Sequence, residues 1–206
     1  MRLPPPLIAV TPGTSAAGGL AALRARLCAL VELDGVGVLL REPALGEAAQ
    51  FELLRELRAR APRAWLCAHA RPALALAAAA DAVQLSFRSL LPRELAGWIR
   101  ARVALGLSAH AHDAAERWDG ADYLIVGPVR DTPSKRGLVE PLGDAGLARE
   151  VARAAGRPVW AIGGLGAGDV AAVRASGARG LALRGALFDA PDPVAAARAV
   201  LAELSA

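Results

Sequence analysis

The chain has 206 residues, of which 54% are hydrophobic and 4% aromatic, so it is long enough for one domain and too apolar for a disordered protein. Its formal net charge of +4 comes from 24 basic and 20 acidic residues that form no basic stripe, which argues against a nucleic-acid-binding protein. The 50 alanines favour helices over an all-β sandwich and predict a core of small aliphatic residues.

Short apolar runs alternate along the chain with longer segments rich in Ala, Leu and Arg. The predicted strands are Leu7–Val10, Gly35–Arg41, Ala64–Ala68, Ala82–Leu85, Val103–Ser108, Asp122–Gly127, Pro158–Ile162 and Gly180–Arg184. The predicted helices lie near residues 18–33, 46–60, 72–80, 91–101, 111–118, 142–155, 167–176 and 192–204. Several strands are nearly continuous apolar runs, which is typical of a parallel sheet buried on both faces.

Eight strand–helix units of about 25 residues each predict a (β/α)8 TIM barrel that forms a single domain over residues 1–206. A doubly wound open sheet is the alternative fold, but a count of eight strands favours the barrel. Active sites of such barrels are built from the loops that follow the carboxyl ends of the strands. Residues just after each predicted strand are therefore the candidates for function.

Polar residues follow the second, third and fifth strands. Arg41 is placed to contact an anionic ligand or to pair with a neighbouring acid. A histidine at the position of His69 is more often a hydrogen-bonded structural group than a ligand contact. Ser108 and His110 stand at alternate positions, so in an extended chain their side chains point the same way. Because histidine titrates near neutral pH, His110 is a candidate acid or base.

The segment Gly127–Gly137 after the sixth strand contains Thr132, Ser134 and Lys135. Lys135 is the single lysine of a chain with 23 arginines. An ammonium and a guanidinium are not interchangeable at a binding site, so Lys135 is a candidate for a position that needs an ammonium. The segment is interpreted as a lid over an anion, with an ordinary surface loop as the alternative.

Glycines follow the last two predicted strands. Gly163 and Gly164 come after the seventh strand, and Gly185 and Ala186 come after the eighth. Glycine lets backbone N–H groups approach a phosphate with no Cβ in the way, and phosphate in these barrels often lies between these two loops. The pattern predicts a phosphate site, with tight turns that bind no ligand as the alternative.

Taken together, six segments resemble the thiamine-phosphate synthase/TenI superfamily in a single order over nearly the whole chain. They are Leu7–Thr11, Asp81–Leu85, Gly106–His110, Ala121–Tyr123, Gly127–Pro128 with Thr132–Gly137, and Ala161–Gly164. The resemblance implies a (β/α)8 barrel that binds a thiazole phosphate on the backbone after strands seven and eight. In the synthase branch it also implies that a pyrimidine loses diphosphate and is captured by the thiazole nitrogen, while Mg²⁺ and basic residues hold the diphosphate.

The chain departs from the synthase pattern after strands two, three and four. Where that pattern has Gln-x-Arg-x-Lys, the segment Leu39–Pro43 keeps only the arginine. Where it has Asn-Asp-Arg this chain has His69–Arg71, and the second Asp is absent from Ser86–Ser89. Mg²⁺ needs oxygen ligands that usually include a carboxylate, so no metal site is predicted.

These departures, together with the segment Val83–Leu85, favour the TenI branch, whose members act as metal-free thiazole tautomerases. We therefore predict a TenI-like protein of thiamine biosynthesis that binds a thiazole phosphate and transfers a proton without a cofactor. Pro128 stands where the TenI pattern has its acid–base histidine, so His110 is predicted to transfer the proton, with His69 as the weaker alternative. Lys135, the second predicted catalytic residue, closes over the ligand as a point charge. The alternatives are a divergent, Mg²⁺-dependent thiamine-phosphate synthase and a non-catalytic binder of a phosphate ligand.

The predicted substrate-binding residues are Arg41, His69, Ser108, Thr132, Ser134, Gly163, Gly164, Gly185 and Ala186. The expected partner is a small-molecule thiazole phosphate, with no nucleic acid and no membrane, and the apolar outer helices allow a homodimer. The two cysteines form no CxxC pair and residues 1–6 lack a signal-peptide pattern, so a cytoplasmic location is expected.

Overall fold

The computed structural model describes residues 1–13, 19–111, 113–132, 137 and 139–206. Within them, parallel strands form a closed barrel in chain order, and β1 pairs with both β2 and β8. The strands are β1 (Leu7–Val10), β2 (Val36–Leu40), β3 (Trp65–His69), β4 (Ala82–Leu85), β5 (Ala104–Ala109), β6 (Tyr123–Val126), β7 (Val159–Ile162) and β8 (Gly180–Leu183). The predicted (β/α)8 barrel is confirmed.

Helices connect successive strands in the described part of the chain. They are α1 (Gly19–Val31), α2 (Glu47–Arg60), α3 (Pro72–Ala77), α4 (Pro92–Ile99), α5 (Gly143–Arg153), α6 (Val170–Ala175), α7 (Gly185–Phe188) and α8 (Pro193–Ser205). Two 3₁₀ turns, Ala115–Trp118 and Ala167–Asp169, precede β6 and α6. None of the described helices is long and apolar enough to cross a membrane.

Two helix predictions need correction. The helix expected at 111–118 is only the 3₁₀ turn Ala115–Trp118, and residue 112 lies outside the described residues. The four-residue helix α7 has no counterpart among the predictions, because one turn is too short to show a helical period. Strand ends shift by a residue or two, so that Arg41, Gly127 and Arg184 lie just beyond their strands, in the loops.

The helices bury leucine-rich faces against the outside of the barrel. In α2, Leu53, Leu54 and Leu57 are buried. Burying such a side chain contributes roughly 1.5–3 kcal/mol relative to leaving it exposed. Gln50 is also buried, and its Nε2 donates to two carbonyl oxygens at 3.1 and 2.8 Å in the loop before α2.

Inside the barrel, a second cluster of side chains comes from alternate strand positions. Its aromatic part is Trp65, Tyr123 and Trp160, with Tyr123 edge-on to the other two at centroid distances of 6.1 and 5.6 Å. The indole N–H of Trp160 donates to the carbonyl of Pro5 at 2.8 Å, so the segment before β1 packs under these rings. The aromatic layer closes the barrel interior below its carboxyl end.

Carboxylates tie strands together at the amino end of the barrel. Asp122 precedes β6, its Oδ2 accepts from the Leu105 backbone N–H at 2.8 Å, and Oδ1 pairs with Arg100. Asp81 precedes β4, and its Oδ2 accepts from Arg58 at 2.7 Å. Both acids stabilise the face opposite the active-site loops. Asp81 and Asp122 belong to segments that carry the family resemblance, and in this structure they have a structural role.

Candidate active site at the mouth of the barrel

The strand register places four polar side chains around the mouth. Side chains alternate between the two faces of a strand, and the interior cluster includes Leu39 in β2, Cys67 in β3, Ala82 in β4 and Ala104 in β5. Continued toward the carboxyl ends, the same faces carry Arg41, His69, Gln84 and Ser108. Sequence reasoning selected three of these four residues and missed Gln84.

Gln84 is buried among these residues, with 1% of its surface exposed. Its Nε2 donates to Ser108 Oγ at 3.1 Å, while Oε1 has no hydrogen-bond partner among the described residues. Gly106 makes room for the amide, because a Cβ there would lie 2.3 Å from Gln84 Oε1 and 2.2 Å from Tyr123 Cζ. An unpaired buried acceptor costs about 1–3 kcal/mol, which a ligand donor would recover.

A pocket of about 450 Å³ lies between the loops that follow β2, β3 and β4. We call it the β2–β4 pocket. Its lining residues are Arg41, Glu42, Pro43, Glu47, Gln50, His69, Ala70, Arg71, Pro72, Ala73, Leu74, Ser86 and Arg88. Three arginines and two glutamates supply the formal charges of this lining.

The two glutamates of the β2–β4 pocket are already engaged. Glu42 is 1% exposed and its Oε1 accepts from the Gly13 backbone N–H at 3.0 Å, while its Oε2 has no partner among the described residues. Glu47 pairs with Arg71. Gly13 also fits under Arg41, since a Cβ at Gly13 would lie 2.3 Å from Arg41 Nη1.

Arg41 and Arg88 are exposed, and among the described residues neither forms a salt bridge with a carboxylate. The Arg88 guanidinium lies over the Phe87 ring at 5.2 Å from its centroid. Burial, followed by the nearby guanidinium groups of Arg41 and Arg71, lowers the pKa of His69 to about 4. His69 is therefore neutral at pH 7, and the arginines add to the effect of burial in keeping it so.

His110 directly follows β5 and is half-buried. Its backbone N–H donates to Asp113 Oδ2 at 2.8 Å, and its Nδ1 lies 3.8 Å from the same oxygen. The backbone hydrogen bond fixes the turn and leaves the imidazole near the Asp113 carboxylate, beyond hydrogen-bond distance of it. A histidine near a carboxylate is a candidate for proton transfer, and the backbone contact also stabilises the chain where it leaves the strand.

Gly163 and Gly164 pack against the loop that follows β6. Both have positive φ, at +104° and +66°. A Cβ would lie 2.6 Å from Pro128 Cα at the first position and 2.5 Å from the Asp131 carbonyl oxygen at the second. Only glycine meets both demands without strain, so this turn is required by packing as well as open to a ligand.

Arg130 ties the loops after β6 and β7 together. Its backbone N–H donates to the Gly163 carbonyl at 2.9 Å, and its side chain pairs with Asp144 at 2.6 Å and Asp169 at 3.1 Å. These carboxylates hold the Arg130 guanidinium in the protein and raise its pKa. Arg130 thus has a structural role beside the predicted phosphate site.

The helix α7 begins at Gly185, directly after β8. Its N-cap residue, Arg184, makes no side-chain cap hydrogen bond, and the first N–H groups of a helix have no acceptor within it. β7 and β8 are paired, so Gly163–Gly164 and Gly185–Ala186 follow neighbouring strands. The exposed Asp189 carboxylate lies above Gly185, where a Cβ would come within 2.8 Å of its Oδ2.

Two of the predicted lid residues, Ser134 and Lys135, lie outside the described residues. Thr132 is described and half-buried in the loop that leads to them. Their roles therefore remain predictions from sequence. The described part of the loop joins the mouth of the barrel through Val129, whose N–H donates to the Ile162 carbonyl at 2.9 Å.

The known sequences to which this chain is similar are named for thiamine biosynthesis. The family model described as thiamine monophosphate synthase matches residues 7–187. The chain is 38% identical over 174 residues to the putative thiamine-phosphate synthase of Geobacter sulfurreducens, covering 81% of this chain and 80% of that protein. It is 40% identical over 168 residues to the thiamine biosynthesis bifunctional protein ThiM/ThiE of Symbiobacterium thermophilum. That match covers 80% of this chain but only 35% of the longer relative.

Solved structures agree on the architecture. Thiamine phosphate pyrophosphorylase from Pyrococcus furiosus has a TM-score of 0.80 to this chain and covers 97% of it, with 95% of that chain matched. The two sequences are 24% identical, so the structural likeness bears on the fold.

Proposed function

The chain belongs to the thiamine monophosphate synthase family, and we propose that it is a thiamine-phosphate synthase, which joins a thiazole phosphate to a pyrimidine diphosphate. The family match does not separate the synthase and TenI branches. The family model and the Geobacter sulfurreducens relative are named for the synthase, which was the alternative from sequence, and so support it over the TenI-like tautomerase.

The proposal is supported above all by the placement of two candidate anion-binding regions on opposite sides of a single mouth. One is the β2–β4 pocket with its three arginines, and the other is formed by the loops after β7 and β8. In the closed barrel β1 separates them on one side, and β5 and β6 on the other. Joining two phosphorylated substrates needs two such regions, whereas tautomerisation of one phosphate ester needs only one.

In this proposal each substrate has its own anchor. Backbone N–H groups at Gly163–Gly164 and Gly185–Ala186 bind the phosphate of the thiazole. The diphosphate of the pyrimidine lies in the β2–β4 pocket. Between them, the half-buried Ser108 is placed to contact the rings, and the buried Gln84 positions the serine Oγ by donating from Nε2 at 3.1 Å.

The protein contributes to this reaction mainly by positioning the two substrates and by stabilising the charge that develops on the leaving group. The carbon–oxygen bond to diphosphate breaks, the leaving group takes the electron pair, and the thiazole nitrogen forms the new carbon–nitrogen bond. Guanidinium groups stabilise the negative charge that develops on the leaving diphosphate. Lys135, with Thr132 and Ser134, is proposed to cover the reacting groups.

Mg²⁺, which the resemblance implies for the synthase branch, does not fit the donors that this structure offers. The loops His69–Arg71 and Ser86–Ser89 after β3 and β4 contain no carboxylate. Among the described residues, no group of three or more His, Cys, Asp or Glu could hold a metal ion. We therefore assign no step to a metal.

The proposal is tested by incubating the protein with thiazole phosphate and pyrimidine diphosphate, with Mg²⁺ in one series and EDTA in another. Thiamine phosphate and diphosphate are expected to form in equal amounts in at least one series. In parallel, the protein is given the non-aromatic thiazole carboxylate phosphate alone. Isomerisation of that compound without condensation would identify a tautomerase. Binding without either reaction would identify a non-catalytic binder.

A further inference from the structure

We propose that the β2–β4 pocket binds a diphosphate group directly on arginine guanidinium groups, with no divalent cation between them. The inference takes the identity of the substrate from the proposed function, but its physical basis is the lining of the pocket. The lining differs from that of a metal site in two ways: in the kinds of donor group that it contains, and in the donor groups that are left unpaired.

The carboxylates of the pocket are poorly placed to hold a hard cation. A magnesium ion is usually bound through carboxylate oxygens and water, in a strict octahedral geometry. Glu42 is buried against the Gly13 backbone, and Glu47 is paired with Arg71. Glu42 Oε2 has no partner among the described residues but is buried, and Glu47 would have to give up Arg71 to serve a cation. The three guanidinium groups of the pocket also raise the electrostatic cost of a further positive charge.

The guanidinium groups are placed to act as the positive charge themselves. Arg41, Arg71 and Arg88 come from three successive loops, after β2, β3 and β4, and all line one pocket. Arg71 is held in position by Glu47, while Arg41 and Arg88 form no salt bridge among the described residues. A guanidinium offers planar pairs of N–H donors that match phosphate oxygens two at a time.

The charge of the pocket favours the same conclusion. Three guanidinium groups against two carboxylates leave a net charge of +1 before any ligand is bound. His69, between Arg41 and Arg71 along the chain and near both, already has a pKa lowered to about 4 by burial and these arginines. The part of this shift that comes from the two arginines reflects a positive field, which favours an anion in the pocket.

The direct test is isothermal titration calorimetry with inorganic pyrophosphate, in EDTA and in millimolar Mg²⁺. We expect binding in EDTA, and no tightening when Mg²⁺ is added. Arg41→Ala and Arg88→Ala should each weaken binding in EDTA about tenfold or more, in line with the loss of a charge-assisted hydrogen bond. Binding that requires Mg²⁺ would overturn the inference.

Arg198→Ala is the matched control, because it removes the same charge from an exposed position on α8, away from the pocket. Its effect on pyrophosphate affinity should stay within about twofold, as for a screened distant charge. Equal losses in Arg88→Ala and Arg198→Ala would mean that only net charge matters, and the pocket would not be the site. Thermal unfolding of each variant confirms that it is folded.

The synthase assay separates this inference from the proposed function. If pyrophosphate binds in EDTA but no thiamine phosphate forms in either series, the pocket is a metal-free anion site and the proposed function is wrong. If condensation and pyrophosphate binding both require Mg²⁺, the proposed function holds and the inference is wrong. Condensation in EDTA, reduced in Arg88→Ala and unchanged in Arg198→Ala, is the result expected if both hold.

Discussion

The two sides of the barrel mouth present different chemistry to an anion. The β2–β4 side presents guanidinium groups at the ends of long side chains, whereas the β7–β8 side presents glycine turns whose predicted phosphate contacts are backbone N–H groups. Side-chain contacts change with single substitutions, but backbone contacts persist as long as the turn does. The departures from the family pattern lie after β2, β3 and β4, whereas the Gly163–Gly164 turn, which packing requires, keeps the pattern.

The largest effect is expected from breaking the backbone side. Gly163→Ala places a Cβ 2.6 Å from Pro128 Cα at a φ of +104°. Strain and overpacking together should lower the free energy of unfolding by about 2–5 kcal/mol and weaken thiazole phosphate binding by about 100-fold. Chemical denaturation and calorimetry measure the two quantities.

Gly168→Ala is the control for that substitution, since a Cβ there meets no atom within 4 Å and no positive φ opposes it. It should leave thiazole phosphate affinity unchanged within about twofold, as expected of an exposed change without a special role. If Gly163→Ala behaves like Gly168→Ala, the turn is not the phosphate site.

The second prediction concerns the β2–β4 side of the mouth, where two substitutions introduce the carboxylates that the synthase pattern has after β3 and β4. Ala70 has a φ of +55°, which aspartate tolerates better than alanine does, and Ser89 lies in the neighbouring loop. The double variant Ala70→Asp/Ser89→Asp should lose about tenfold in pyrophosphate affinity in EDTA and recover it in Mg²⁺, because carboxylates repel the free anion and bind the cation. Titrations in both buffers measure this.

The matched control is Ala70→Asn/Ser89→Asn, which adds similar volume without charge. It should bind pyrophosphate alike with and without Mg²⁺. An aspartate variant that remains indifferent to Mg²⁺ would show that the two loops do not face the anion.

The third prediction concerns the pH response of the β2–β4 side. The pKa of His69 is about 4 in the folded protein, below the ordinary 6.5, so between these values the unfolded state binds more protons. Unfolding free energy should therefore fall as pH decreases from 6.5 toward 4, by up to about 3 kcal/mol. His69→Gln should show a smaller fall over this window in urea denaturation.

Pyrophosphate should raise the pKa of His69, because a bound anion offsets the field of Arg41 and Arg71. Histidine Cε1 resonances followed by NMR report this directly, with His69→Gln identifying the signal. A resonance that titrates at the same pH with and without pyrophosphate would place the anion away from His69.

The smallest effect is expected from a repulsive charge on the backbone side. Asp189 lies above Gly185, so Asp189→Asn should tighten thiazole phosphate binding by about twofold at low salt and by less at high salt. Asp34→Asn, an equal charge change at an exposed position before β2, is the control and should have no effect. Calorimetry at two ionic strengths tests both variants.

Much of the architecture is predictable because it follows local pattern. Apolar runs of four to six residues between helical segments specify the strands, and two of them, Leu7–Val10 and Ala82–Leu85, have the predicted bounds. The four-residue α7 is not predictable in this way, since it depends on the turn after β8 and on contacts across the barrel.

The candidate site was predictable where function coincides with the end of a strand. Arg41, His69 and Ser108 fit that rule. Arg88 does not, because it lies three residues beyond β4 and joins the pocket only through the shape of its loop. Gln84 lies within β4, where an amide in an apolar strand, two residues after the inward-facing Ala82, was the available signal.

Two phosphorylated ligands are expected to bind the mouth at the same time, and a ternary titration would show whether they do. Pyrophosphate is titrated into the protein alone and into the protein saturated with thiazole phosphate. We expect one site in each case, with affinities that agree within about threefold, since the two anions occupy opposite sides of the mouth and are partly screened from each other. An apparent pyrophosphate dissociation constant that rises in proportion to thiazole phosphate concentration would show a single shared site and contradict this expectation.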